Sequence, residues 1–326
     1  MFLILQPALF AVHLPDGVIS WPWLVGGFLI TGLLCVLSTQ RLREEEVPRI
    51  ALLAAAFFVA SSIHVRLGPT SVHLLLNGLV GVILGWRAPL AILVGIVLQA
   101  VLLSHGGLTT IGINAATETL PALAAGALFP WLRSLDAGSW LRRCLVATIS
   151  LLWGVLVLLA ISLLKRGTLE SWGQLASETP PDLSTSILQS FTAAIWNPVS
   201  LATLVILAAV GTWLDIRIGQ PAEFTAGAAV GCLSVVATML LNGMVLIGDG
   251  VERWSTFVVV VFLAHMPLAL LEGFIVGVVT TYLARVKSDM LRLPSLEGVA
   301  PIAFQTSATV EPGDQVCSQV GNESNA

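Results

Sequence analysis

The sequence predicts an all-α fold, a polytopic bundle of about nine transmembrane helices with its N-terminus outside and its C-terminus in the cytoplasm. Of its 326 residues, 56% are hydrophobic and 10% are charged, and the mean hydropathy is +0.92. Soluble domains carry about 25% charged residues, so this chain lacks the polar surface of a water-soluble protein. Apolar runs of about 20 residues recur, the length that crosses a hydrocarbon core of about 30 Å as helix.

These apolar runs predict the transmembrane segments in order along the chain. Two of them, 49–64 and 71–85, are short enough to be only partly embedded. The predicted segments are 18–38, 49–64, 71–85, 89–104, 117–132, 144–164, 193–214, 225–247 and 257–284. The polar composition of 293–326 predicts a disordered cytoplasmic tail.

Lysine and arginine orient the segments, because cytoplasmic loops carry an excess of these residues. With the N-terminus outside, eleven of the 15 fall on the cytoplasmic side and four on the outer side. The cytoplasmic set is Arg41, Arg43, Arg49, Arg87, Arg133, Arg142, Arg143, Arg217, Arg285, Lys287 and Arg292, and the outer set is Arg66, Lys165, Arg166 and Arg253. Adding or removing one segment would spoil this asymmetry, which therefore supports the predicted alternation.

All five histidines fall near the outer side in this orientation. His13 precedes the first segment, His64 and His73 flank the second loop, His105 ends the fourth segment, and His265 lies in the outer third of the last. A single interfacial histidine is explained by its polar end reaching loop carbonyls. Five on one side favour a shared metal, since imidazole suits Ni, Co, Cu and Zn. The four cysteines are scattered without C-x-x-C, which argues against a thiolate site.

The segment that begins at Val12 offers a specific chelate if Val12 carries a free amine. The amine, the His13 amide nitrogen and the His13 ring would close adjacent five- and six-membered rings around an ion. One further histidine would complete a square-planar nitrogen field, a geometry typical of Ni(II) or Cu(II). We therefore expect the apolar residues 1–11 to be a processed segment, or translation to start at Val12. Asp16, in the turn before the first helix, is expected to cap that helix rather than bind metal.

Four segments in the same order resemble the CbiM/NikM family, the substrate-binding membrane components of energy-coupling factor (ECF) importers for cobalt and nickel. The first, at positions 12–17, reads Val-His-Leu-Pro-Asp-Gly and is similar to the family's opening Met-His-Ile/Leu-Pro-Asp/Glu-Gly. Positions 68–78 resemble its Gly-Thr-Ser-x-His-Leu-Leu segment, and positions 105–114 its Gly-Gly-Leu-Thr-x-x-Gly-x-Asn loop. Positions 265–273 are similar to the His-x-x-x-x-x-x-Glu-Gly of its last helix.

The resemblance implies a ligand set and a set of partners. Carried over, the metal ligands are Val12 through its amine, His13 through its backbone and ring, and His73, with His64 as an accessory candidate. The implied partners are a transmembrane coupling subunit, ATPase subunits and a small accessory membrane subunit, all at the cell membrane. Nickel or cobalt is then the transported substrate, and no cofactor, catalytic residue or nucleic acid is expected.

The resemblance also divides the chain. Residues 12–138 and 217–292 would form the two parts of the family domain, and 139–216 an inserted transmembrane segment between them. Residues 1–11 and 293–326 lie outside this domain.

Two other classes of protein fit the sequence less well. An intramembrane metalloenzyme needs a motif such as H-E-x-x-H, which is absent, leaving only Glu118 and Glu272 as substitute acids. An ion-coupled secondary carrier needs ionisable groups near mid-membrane, where Glu272 is the best candidate, although pairing within the bundle explains it better. The chain has no Walker A motif, so ATP would have to be hydrolysed by partner subunits. The sequence leaves nickel and cobalt undistinguished.

Overall fold

A computed structural model of the chain describes residues 13–67, 70–135, 140–165, 197–218, 221–249 and 255–291. Within these ranges the structure is built almost entirely from helices, and each predicted apolar segment overlaps one of them. The helices are α1 (Trp21–Thr39), α2 (Val47–Ser62), α3 (Asn77–Leu84), α4 (Ala88–Leu103), α5 (Ile111–Arg133), α6 (Trp140–Lys165), α7 (Pro198–Ile218), α8 (Ala222–Asp249) and α9 (Ser255–Val286).

A two-stranded hairpin lies between α2 and α3, in a structure that is otherwise helical over its described residues, as the predicted all-α fold requires. Strands β1 (His64–Leu67) and β2 (Thr70–His73) pair antiparallel, and the backbone of His64 lies opposite that of His73. The predicted helix 71–85 therefore begins as a strand and becomes helical only at residue 77. β-Branched residues such as Val65 and Val72 on either side of a Gly-Pro pair favour paired strands over helix.

Four stretches are long and apolar enough to cross a membrane, and they mark the chain as a membrane protein. They are Trp21–Thr39, Asn77–Leu103, Ala222–Asp249 and Ala264–Val286. Helices α3 and α4 share one of these stretches because only a short 3-10 turn at Gly85–Arg87 separates them. Along α1, apolar side chains such as Leu29 and Val36 are more than half exposed, as expected of a surface that faces lipid. Nine crossings and the orientation of the termini stay predictions.

Helix α5 lies at the centre of the bundle and packs against α1, α3, α4 and α8. The hydroxyl of Thr31 in α1 donates a 2.7 Å hydrogen bond to the carbonyl of Gly112 at the start of α5. Gly81 lets α3 approach α5 closely, because a Cβ at this position would overlap the carbonyl of Ala122. The same tight packing joins α8 to α9, which run along each other for most of their length.

Helices α6 and α7 pack mainly against each other, with few contacts to α8 and α9. Gly154 of α6 lies against Leu204 of α7, which is buried. Helix α6 lies inside residues 139–216, the stretch predicted as an insertion, and α7 lies inside it except for its last two residues. The assignment of this stretch as an insertion stays a prediction.

One arginine ties the end of α1 to the start of α4. The Arg87 guanidinium donates to the carbonyls of Ser38, Gln40 and Arg41, and its Nη2 lies 3.0 Å from the Glu46 carboxylate. A hydrogen bond from the Arg43 amide, followed by the Arg87 contact, lowers the pKa of Glu46. The junction therefore satisfies carbonyls at the end of α1 that have no partner within the helix.

Candidate metal centre

The segment before α1 is fixed by the loop that leads into α5. The amide of Leu14 donates to Oδ1 of Asn114 at 2.9 Å, and Nδ2 of Asn114 donates back to the Leu14 carbonyl at 3.0 Å. The Thr110 hydroxyl donates to the same carbonyl at 2.6 Å. Both backbone polar groups of Leu14 are thus satisfied by buried side chains, which holds the neighbouring His13 in place.

Asp16 makes the second attachment, and the expectation that it caps α1 is wrong. Its carboxylate accepts the amides of Leu108 and Thr109 at 3.0 and 2.8 Å. Gly107 makes this approach possible, because a Cβ there would overlap the carboxylate. Partial burial opposes ionisation, but the Thr109 hydroxyl and the loop amides outweigh it and lower the pKa of Asp16.

Helix α1 begins too far beyond Asp16 for that side chain to cap it. Ser20 precedes its first residue, and the Ser20 hydroxyl and amide both donate to Asp249 at the end of α8. The segment from residue 13 to 20 is therefore anchored at both ends to other parts of the bundle.

His73 is positioned by a buried carboxylate on α9. Glu272 accepts the amides of Leu75 and Leu76, the second at 2.9 Å. Leu76 has φ of 51°, so the chain turns sharply between β2 and α3 at this point. Glu272 is fully buried, and its role in the structure is to hold the turn that follows His73, in line with the expectation that it pairs within the bundle.

Three imidazole rings from distant parts of the chain stack in series. The ring centroids of His13 and His73 are 5.1 Å apart with an interplanar angle of 24°, and those of His73 and His105 are 5.8 Å apart at 9°. His13 and His73 are buried, whereas His105 is partly exposed. His265 on α9 is buried as well, and its charge would influence His13. The structure thus brings together four of the five histidines.

The ring hydrogen bonds leave a lone pair on two of these histidines. Nδ1 of His73 lies 3.1 Å from the Leu74 carbonyl, and Nδ1 of His265 lies 2.7 Å from the Val261 carbonyl. Because a carbonyl only accepts, Nδ1 carries the proton in each neutral ring and Nε2 carries the lone pair. Metal-binding histidines almost always donate the proton of the other ring nitrogen to a carboxylate, a backbone carbonyl or water, and the backbone carbonyls of Leu74 and Val261 provide such a partner here.

His13 is held in its neutral form by its surroundings. Burial, and then the positive charges that His73 and His105 would carry, lower its pKa well below the usual value, while Gln99 beside it acts in the opposite direction. A neutral imidazole is the form that binds metal. His13 is therefore ready to act as a ligand without first losing a proton at neutral pH.

A buried carboxylate faces this ring. Oε1 of Glu118 lies 3.3 Å from Nδ1 of His13, and the Glu118 side chain is fully buried. Among the described residues, neither oxygen of Glu118 finds a hydrogen-bond partner, and neither does Nε2 of His13. Buried polar atoms without partners are costly, and a cation placed among them would relieve that cost.

Two of the predicted ligands cannot be compared with the structure in full. Val12 lies outside the described residues, and so does the side chain of His64, although its backbone is placed opposite His73 in the hairpin. Within the described part, no three His, Cys, Asp or Glu groups form a ready metal site. Stacking explains this result, because the lone pair of an imidazole lies in its ring plane, so the rings must turn about their side-chain bonds before two of them can bind one ion.

Sequence reasoning missed Gln99 entirely and considered Glu118 only as the acid of an alternative enzyme. Gln99 is fully buried and is the one polar side chain in helix α4. A lone amide in an otherwise apolar helix was the available signal. Its distance in sequence from His13 concealed the contact.

The sequence profile of the CbiM family, described as the cobalt uptake substrate-specific transmembrane region, matches residues 13–196 and 192–290. The chain belongs to the CbiM family. The match begins at His13 and ends at residue 290, just beyond α9, so it includes every described residue of the candidate centre. No solved structure matches the chain.

Relatives within and around the CbiM family are named as transport proteins. The chain is 42% identical over 118 residues to a protein of Haemophilus influenzae provisionally named a metal transport protein, covering 36% of this chain and 57% of that one. It is 32% identical over 148 residues to the cobalt transport protein CbiM of Thermosynechococcus vestitus, covering 43% and 52%. It is 31% identical over 144 residues to the fused nickel transport protein NikMN of Rhodobacter capsulatus, covering 42% and 41%. The chain thus spans about half the length of the curated relatives it matches.

Proposed function

We propose that this chain is the metal-binding membrane component of an ATP-driven importer of the energy-coupling factor type, with nickel or cobalt as substrate. The observation that carries the proposal is the buried pair of His13 and His73, whose rings stack beside the unpartnered carboxylate of Glu118. Burial of neutral imidazoles next to one carboxylate suits a divalent cation, because the carboxylate offsets part of its charge.

The proposed ligands are the Val12 amine, the His13 amide and Nδ1 of the His13 ring, and the ring of His73, with His64 as an accessory ligand. Nδ1 is the His13 ring atom that closes the six-membered chelate ring, and it lies 3.3 Å from Oε1 of Glu118. This ligand set includes only two imidazole side chains, and its other two ligands are backbone nitrogens. It therefore does not require three side chains to converge on the ion. Its support is the fixed backbone next to His13, since Asn114 and Thr110 satisfy both polar groups of Leu14. A preordered chelate binds more tightly because less conformational freedom is lost on binding.

Energy coupling is assigned to partners. The sequence contains no Walker A motif, so the proposed transporter includes ATPase subunits, a transmembrane coupling subunit and a small accessory membrane subunit in the cell membrane. In this arrangement the ion is captured at the outer face, where the predicted orientation places the histidines. Relatives named for cobalt and for nickel transport support both ions as substrates.

The two alternative functions, an ion-coupled secondary carrier and an intramembrane metalloenzyme, find less support. A secondary carrier would use Glu272 to bind and release protons, but this carboxylate is occupied by the amides of Leu75 and Leu76. An intramembrane metalloenzyme would need a general base near the metal. Glu118 is the one acid beside His13 in the described residues, and it is fully buried away from water.

Metal binding by purified protein tests the proposal. The chain is exposed to equal concentrations of Ni, Co, Cu and Zn, washed, and analysed for bound metal. Wild-type protein should retain about one ion per chain, whereas His13→Ala and His73→Ala should each lose it, because each removes a ligand from a four-ligand field. Thr203→Ala, on α7 away from the site, is the matched control and should bind as wild type. Full retention of metal by both histidine variants would contradict the ligand assignment.

The amine ligand has its own test. Intact mass measurement of metal-loaded protein purified from membranes should give a chain that begins at Val12. A metal-loaded chain that still carries residues 1–11 would exclude the amine and leave a site built from side chains and amides.

Coupling is tested in cells. Metal accumulation should require co-expressed ATPase subunits. ATP-independent accumulation by this chain alone, at the same rate, would favour the secondary carrier.

A further inference from the structure

His105 occupies a position between the protein surface and the buried imidazoles. It is partly exposed, whereas His73 and His13 are buried to within a few per cent of their surface. Two left-handed residues fix the turn that carries it, Ser104 with φ of 53° and Gly106 with φ of 74°. The His105 amide also donates to the Gln99 carbonyl at 3.1 Å. The ring is therefore held at this place by the backbone.

The three rings form a path with comparable steps. From His105 to His73 the centroids are 5.8 Å apart, and from His73 to His13 they are 5.1 Å apart. Of the imidazoles whose side chains the structure describes in this stack, His105 is the one that solvent reaches. An ion that arrives with bound water can thus meet one imidazole at the surface before it reaches the two buried rings.

We propose that His105 is an entry site, the first protein ligand of the incoming ion, which it then transfers to His73. The inference rests on the proposed function of the chain as a metal-binding component. In the first step the His105 ring nitrogen replaces one water of the hydrated ion. In the second the His73 ring replaces a further water, and the bond to His105 breaks as the ion moves inward to His13. No proton or electron is exchanged between these rings.

This role has a signature that separates it from a ligand of the final site. A group that touches the ion only on its way in stabilises the intermediate and not the bound state. The same intermediate is crossed on the way out, so its loss slows association and release by the same factor and leaves Kd unchanged. Loss of a final ligand instead raises Kd, mostly through faster release.

The test compares wild type with His105→Gln, which keeps a polar side chain of similar length but removes the imidazole. Ni(II) binding is followed by stopped-flow absorbance, release by mixing with excess chelator, and Kd by equilibrium titration. Both rate constants should fall about tenfold, the lower end of the effect of groups that support a metal site from outside its ligand shell. The control is Leu102→Ala, since Leu102 is 63% exposed three residues before His105 and offers no metal ligand.

Chemical rescue adds a second measurement. Free imidazole added to His105→Ala should raise both rate constants toward the wild-type values, and imidazole should have little effect on wild type. His105→Asn provides the same comparison if the alanine variant does not fold. Equal rate constants in wild type and variants would overturn the entry site. A raised Kd with unchanged association would also overturn it and make His105 a final ligand. If wild type itself binds no metal, the proposed function fails, and the entry site fails with it.

Discussion

Asn114 offers the sharpest test of how the fold prepares the metal centre. Its side chain makes two buried hydrogen bonds to Leu14, accepting from the amide at 2.9 Å and donating to the carbonyl at 3.0 Å. In Asn114→Ala the Leu14 carbonyl keeps the Thr110 hydroxyl, but the amide loses its acceptor. Either the amide stays buried without a partner, or the segment that carries His13 detaches from the loop.

The expected loss of metal affinity follows from the free-energy cost of burying the Leu14 amide without an acceptor. An unsatisfied buried donor costs about 1–3 kcal/mol. If the segment detaches in the metal-free variant, this cost is met when metal binding draws the segment back. Since 1.4 kcal/mol corresponds to a factor of ten in Kd, we expect metal binding to weaken by about 5- to 150-fold.

Equilibrium titration with Ni(II) measures this change, and unfolding followed by tryptophan fluorescence shows whether the variant is folded. Asn197→Ala is the matched control. Asn197 accepts the Val199 amide at the start of α7, so its loss should cost about 1 kcal/mol of local stability without changing Kd. A wild-type Kd in Asn114→Ala would refute the claim that this side chain prepares the site.

Three further predictions concern the surroundings of the site. Glu272→Ala removes the acceptor of two amides in the turn after His73, and each amide left without an acceptor costs about 1–3 kcal/mol. Unfolding should show lower stability, and Ni(II) titration should show weaker binding. Wild-type behaviour in both measurements would contradict the positioning role. The metal-free protein should lose stability as pH falls below 6.5, because unfolded His13 then binds a proton that the folded ring, with its lowered pKa, does not. Urea unfolding across this range should give a smaller slope of unfolding free energy against pH in His13→Gln than in wild type. An equal slope in both proteins would be contrary evidence. Arg87→Ala should reduce stability by about 1–3 kcal/mol, because charged hydrogen bonds are lost, and it should leave the Kd for metal unchanged. A changed Kd would mean that the junction between Arg87 and Glu46 affects metal binding.

Hydropathy located the helices well because the length and apolar composition of a run are local properties. It failed at 71–85, where the first residues pair with β1. The hydrogen bonds between Thr70–His73 and the preceding strand come from outside the run, so its own composition does not reveal them. Hydropathy also counted α3 and α4 as two crossings; in the described residues they lie within one apolar stretch, Asn77–Leu103, and the number of crossings stays a prediction.

The sequence identified imidazoles of the candidate site but not the side chains that hold them in place. His13 and His73 were named from spacing and resemblance, and the structure places their rings in contact. Gln99, and Asn114 as the partner of Leu14, were not foreseen. Asp16 was expected to cap α1 but instead binds amides of the loop before α5. These contacts join residues about 90 or more positions apart, and no local pattern encodes which loop a side chain will meet.

The hydrogen bonds at the start of α5 have a consequence for motion. Thr110, Asn114 and Glu118 are spaced four residues apart, about one helical turn each, and all three face the segment that carries His13. Helix α5 has 23 residues, so it is about 35 Å long, and at its far end Arg133 pairs with Glu223 of α8 at 2.8 Å. The helix runs without a break from Ile111 to Arg133, although Pro121 and Pro130 lie inside it and each removes one backbone hydrogen bond. A displacement of one end along the axis is therefore passed toward the other end. A shift of α5 along its axis at the Arg133 end would move Thr110, Asn114 and Glu118 relative to the His13 segment at the same time, and would thereby couple the candidate metal centre to the opposite end of the helix.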